Sequence, residues 1–228
     1  MDKKHTFLKT LDKTDAAIER LEEQSVIVRW LYEAGDYEGA YDQALKMEEC
    51  AEKMVLMTRS LPAYTGAPAA VADVEKIMVR SIPVEIGFTV ENWFVVRIPA
   101  LLPKKAGGSA DYVRSFLYPA MRYFFLGKEP VRYGECVLVY RHIYDESRPE
   151  RKKRDHDNIE INMVSDIIAM YVMPDDGPFV CSHYYCSASG NRDITEIYVV
   201  PKNEFVQWLV LEKTIPKEGV KLFEGRSG

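Results

Sequence analysis

With 228 residues, of which 47% are hydrophobic and 29% charged, the chain is long enough for one full core plus an appendage and has an ordinary globular composition. Its formal net charge of −5 excludes a globally basic nucleic-acid binder but leaves room for a basic patch beside an acidic site. Cys50, Cys136, Cys181 and Cys186 lack metal-finger spacing, no apolar run is of membrane-spanning length, and no signal-peptide core follows the charged start. These features predict a cytoplasmic protein with reduced thiols and no membrane association.

From Phe7 to about Ala34, the residues Leu8, Leu11, Ile18, Leu21, Ile27 and Leu31 recur at helical spacing. Gly35-Asp36 breaks the pattern, and a second helical segment follows to about Arg59. Residues 1–60 are therefore expected to form an antiparallel helical hairpin. Around its turn, Trp30 to Ala40 resembles one tetratricopeptide unit, although no second copy follows. Residues 61–73, rich in Pro, Ala and Gly, read as a linker to an α+β domain over 74–228. The part from about Val74 to Leu209 is expected to fold alone.

Within that domain, Lys76–Ile82, Val84–Phe88 and Trp93–Ile98 read as strands. Pro99–Ser109 reads as a loop carrying Lys104 and Lys105. A helix is expected over Asp111–Phe125 with an interruption at Pro119. Cys136–Ile143 is a strand with Val137, Val139 and Arg141 on one face and Leu138, Tyr140 and His142 on the other. Phe179–Cys186 and Thr195–Val200, flanking a polar turn, suggest a β-hairpin. A short helix over Asn203–Leu211 and a loose end beyond Pro216 complete the chain.

Arg151–Asp176 holds the chemistry. A basic run (Arg151, Lys152, Lys153, Arg154, with Arg148 just upstream) leads into Asp155-His156-Asp157-Asn158, an apolar helix and the Asp175-Asp176 pair. In an extended segment Asp155 and Asp157 point the same way and His156 the other. Asn158 is positioned to cap the helix. Carboxylates converging beside cations suit a hard divalent cation and phosphodiester chemistry. The bland reading is a set of solvated loop and cap acids. Cys181 and His183 fall on one strand face and Cys186 on the other, so they read as packing residues rather than zinc ligands.

The order Asp-x-Asp-Asn, helical aspartate (Asp166), Asp-Asp, strand resembles the RusA-type Holliday-junction resolvases over roughly Trp93 to Pro201. The resemblance implies a RusA-like mixed sheet with packed helices, and a homodimeric endonuclease acting on branched DNA with Mg²⁺ or Mn²⁺. Asp155, Asp157 and Asp176 would be catalytic, with Asp175 a further metal ligand. Lys104, Lys105, Arg148 and Arg151–Arg154 would contact DNA, supported by Asn158, Asn162 and Asp166. Where that family carries a helix lysine this chain has Ile161-Asn162, and Asp166 sits one position late. The rival expectation is a catalytically inactive RusA-fold protein of a mobile element that binds nucleic acid or serves a structural role.

Overall fold

The computed structural model describes residues 3–129, 131–147, 156–216 and 219–226, with the side chains of Lys3 and Asp157 left aside. Its internal contacts divide the chain into two units, Met1–Ile77 and Met78–Gly228. No described helix is long and apolar enough to cross a membrane.

The first unit is built on two helices, α1 (Lys3–Glu33) and α2 (Tyr37–Tyr64), packed together as a hairpin. The turn uses Gly35 at φ 81°, a left-handed conformation that glycine adopts without a Cβ clash. Asp36 caps α2 by accepting a hydrogen bond from the Gly39 amide at 2.9 Å. Few side chains are lost to solvent here: Thr14, Ala17 and Ala40 are buried, while Trp30, Tyr32 and Tyr37 remain exposed.

The expected linker is helical at both ends. α2 continues through Pro62, and α3 (Ala70–Ser81) begins before residue 73, leaving 65–69 outside helices. Alanine is the reason: grouped with Pro and Gly it looks loop-like, yet it is the strongest helix former. The same helix absorbs Lys76–Ser81, where the sequence suggested a strand.

The second unit is α+β: helices on a five-stranded mixed sheet ordered β1-β2-β5-β3-β4. The strands are β1 (Glu85–Phe88), β2 (Phe94–Ile98), β3 (Cys136–Asp145), β4 (Cys181–Gly190) and β5 (Ile194–Pro201). β3 and β4 run parallel, joined through a helix, α5 (Asn162–Val172), whereas the other pairs are antiparallel. One sheet face meets α5 and α4 (Ser109–Phe125): the Tyr140 hydroxyl lies 2.8 Å from Ser165 Oγ, and Phe94 packs against Phe124 and Phe125. The other face carries Trp93, Val95, Val137, Val139, Tyr198 and Trp208, the last from α6 (Phe205–Leu211).

Two further expectations differ from the structure. α4 runs unbroken through Pro119, which is itself buried, so packing on both sides of the proline outweighs the lost hydrogen bond. The two late strands are not a hairpin: β4 and β5 both pair with β3, which lies between them. The distinction is physical, since β3 is apolar on both faces and must be central, while β4 carries Ser182, His183, Ser187 and Ser189 and suits an edge.

The end beyond Pro216 is not loose. Phe223 exchanges two main-chain hydrogen bonds with Phe88, at 2.8 and 2.9 Å. Gly87 permits this, because a Cβ there would stand 2.7 Å from the Phe223 carbonyl oxygen. Val220 and Leu222 pack on the Trp208 cluster, so a core ending at Leu209 would lose part of its cover.

Across the sheet centre, Arg97, Glu196 and Arg141 face one another in register. Glu196, fully buried, accepts from Arg97 Nε at 2.9 Å, from Arg141 Nη1 at 2.8 Å and from the Tyr198 hydroxyl at 3.0 Å. Arg97 also reaches Glu85 and donates to the Val220 carbonyl at 2.7 Å. Each charge in this row is thus paired and hydrogen-bonded, the condition under which burial is tolerated.

Candidate functional site

The site can be followed outward from α5. Its first residues do not cap it as expected. Residues His156–Asn158 form a 3₁₀ turn rather than an extended segment. Asn158 lies four residues before the helix, and the residue at the cap position is Ile161.

Glu160, which sequence reasoning passed over, does the capping work from a buried position. Its carboxylate accepts from the Met163 amide at 3.4 Å and from Ser109 Oγ at 2.9 Å. It thereby ties the start of α5 to the start of α4. The available signal was a carboxylate three residues before an apolar helical run, the spacing of a side-chain cap.

The loop before α4 is fastened to the same turn. The Glu160 amide donates to the Pro103 carbonyl at 2.9 Å, the Lys105 amide donates to the Asn158 carbonyl at 3.1 Å, and Lys104 bridges Ile159. Lys104 and Lys105 are exposed and held beside the Asp157-Asn158 turn.

His156 rests on the sheet. Its Nε2 lies 3.0 Å from Ser187 Oγ, and its ring stacks between His142 and Tyr185 at centroid distances of 5.6 Å each. The expected ligand Asp155 and the expected DNA contacts Arg148, Arg151, Lys152, Lys153 and Arg154 lie outside the described residues, as does the Asp157 side chain.

The remaining acids gather at the other end of α5. The helix has 11 residues and so rises about 16 Å. Asp175 and Asp176 follow its last turn, yet Asp176 reaches back to Asp166. Partial burial, the Asp176 hydrogen bond, the Asp176 charge and Glu160 together raise the Asp166 carboxyl above the usual aspartate range. Asp175 accepts from the Asp176 amide at 2.9 Å, which orders the pair. An open hollow of ≈ 380 Å³ is lined by Asp166, Asp175 and Asp176 with Arg132, Met170 and Met173.

Arg132 is committed elsewhere, because it donates to the Met173 carbonyl and, at 3.5 Å, to that of Ala169 at the helix end. Ile161 is buried and Asn162 exposed. Among the described residues, no group of three or more His, Cys, Asp or Glu side chains is arranged to hold a metal ion.

On the α5 side of the sheet, Cys136 and Cys181 are register neighbours, both buried. The hydrogen bond from Cys136 and the approach of His183 draw the Cys181 thiol down to about 5, while the same contact and burial push Cys136 up. Cys186 lies on the opposite face against the Trp208 cluster, where burial raises it. The split of Cys181 and His183 from Cys186 agrees with strand alternation.

The fold and site define an α+β chain whose mixed sheet carries a carboxylate-lined hollow along one helix. The chain belongs to DUF6100, a family of unknown function, whose model matches residues 2–225. No curated protein and no solved structure matches it.

Proposed function

We propose that the chain is a metal-dependent, structure-selective endonuclease of RusA-like type that acts on branched DNA as a homodimer. The observation that carries this reading is the hollow lined together by Asp166, Asp175 and Asp176, where burial and then the neighbouring Asp176 raise the Asp166 carboxyl. Like charges kept together in this way are relieved by a cation. Their donors are all carboxylate oxygens, which fit Mg²⁺ or Mn²⁺ rather than a soft metal. Asp176 and Asp166, with Asp155 and Asp157 from the preceding segment, would hold the ion, and Asp175 orders Asp176. A bound ion would activate water and offset charge on the scissile phosphate. Exposed Lys104 and Lys105 would hold the DNA backbone, joined by the Arg148–Arg154 run.

One observation favours the second reading, a catalytically inactive relative that binds nucleic acid. The position of the missing family lysine is Ile161, a buried residue, so a cation could be restored there only by burying it. Asn162 is exposed and is the position to test. Cleavage of a labelled four-way junction in Mn²⁺ separates the readings. The nuclease reading expects nicking by the wild type that Asp157→Asn abolishes and Asn162→Lys increases. Equal background from wild type and Asp157→Asn would leave only the binding role.

A further inference from the structure

The two edges of the sheet are finished differently. β1 is covered at Phe88 by the chain end, through the paired hydrogen bonds to Phe223. β4 is the opposite edge: its first outward amide, that of Cys181, donates to the Gly177 carbonyl at 2.9 Å, and among the described residues no main-chain hydrogen bond reaches the outward positions His183, Tyr185, Ser187 and Ser189. Unprotected edges are normally short, charged, bulged or broken by proline. β4 is ten residues long, pairs with β3 without a bulge, and contains no Lys, Arg, Asp, Glu or Pro.

The side chains of β4 narrow the choice of partner. Tyr184 and Cys186 turn toward Phe205 and Trp208, and Tyr185 stacks on Tyr140. The exposed positions include Ser182, Ser187 and Ser189, which are small and form no apolar pockets. A disordered peptide added to such an edge would lose about 1–2 kcal/mol of backbone entropy per residue and gain no side-chain anchors. A strand already ordered in a folded sheet avoids that cost.

We propose that β4 pairs antiparallel with β4 of a second copy of this chain, about a two-fold axis perpendicular to the sheet. The result is a continuous ten-stranded sheet across the dimer. In that symmetry one residue meets itself on the axis. With Tyr185 there, His183 faces Ser187 and Ser182 faces Ala188 of the second copy, so no carboxylate or ammonium groups are opposed. The strand's neutrality, within a chain of net charge −5, is what lets two copies approach along this edge. The inference stands on the sheet edge alone and does not depend on the nuclease reading.

The test uses the full chain in light scattering coupled to size exclusion at about 50 µM, with hydrogen exchange over β4. The wild type is expected to run as a dimer, and Ser182→Asp/Ser189→Asp to weaken association at least tenfold while melting at the midpoint of the wild type diluted into the monomer range. Should that variant fail to fold, the wild type still decides the matter. Dilution into the monomer range is expected to release alternate amides of β4, those on its outer side, while the β3-facing set stays protected. A wild type that is monomeric at 50 µM, a folded double variant that remains dimeric, or β4 protection that does not change with concentration would each overturn the proposal.

Discussion

The helical hairpin and the sheet unit bury their residues very differently. α1 and α2 together span most of the first unit, yet Thr14, Ala17 and Ala40 are the residues they bury, and Trp30 stays 65% exposed. In the sheet unit, β2 and nearly all of β3 and β5 are buried on both faces, and Trp208 is closed off completely. Length and helical periodicity are therefore poor guides to where stability resides. A helix pair has one shared seam, whereas a sheet with cover on both faces removes every residue of its central strands from water.

Two tryptophans break or support this contrast most strongly. Trp208→Ala is expected to destabilise the sheet unit by about 3–5 kcal/mol through the cavity it leaves. Trp30→Ala is expected to stay within about 0.5 kcal/mol, as exposed substitutions do. Chemical denaturation of both variants measures the difference, and equal losses would mean that Trp30 is covered in solution.

Glu196→Ala strands Arg141 in the core, leaving Arg97 with Glu85 and the Val220 carbonyl, and is expected to cost about 3–5 kcal/mol, because a buried cation left without its partner is not re-solvated. Glu49→Ala removes a fully exposed partner 2.6 Å from Lys53 on α2, and no change in denaturation midpoint is expected.

The smallest effect lies at α5. The folded Asp166 carboxyl is raised above its unfolded value, so the folded state binds more protons in that window. Its contribution to stability is thus present at low pH and lost as pH rises through the raised value. Asp166→Asn is expected to match the wild type in acid and to exceed it by roughly 0.3 kcal/mol near neutrality, since the pair is largely exposed. Melting midpoints across pH 3–7 follow this, and a variant that is less stable at pH 7 would give Asp166 a favourable partner instead.

Much of the sheet was legible because β2, β3 and the helices on either side carry strong apolar periodicity. Strand order was not. The pairing of β4 with β3 rather than β5 depends on which strand is central, and that shows only when the two-faced apolarity of Cys136–Ile143 is weighed against the serines of β4. At the site, the sequence reading set Asp175 and Asp176 with Asp155 and Asp157 and gave Asp166 only a supporting role; the approach of Asp176 to Asp166 depends on the chain folding back after α5, which no local spacing shows. Glu160 was missed because its role comes from Ser109, 51 residues away in sequence. The docking of Phe223 on Phe88 was equally non-local, and its local trace was a glycine, Gly87, in a strand.

Under the nuclease reading, carboxylates from both ends of α5 would serve one cation. Titration calorimetry of the whole chain with Mn²⁺ tests it directly, comparing wild type with Asp157→Asn and Asp176→Asn. One shared site predicts a single binding event in the wild type that either substitution weakens by at least tenfold, with the melting midpoint no longer raised by Mn²⁺ in either variant. Binding that survives Asp157→Asn unchanged while Asp176→Asn removes it, or that is absent from the wild type, would contradict the claim.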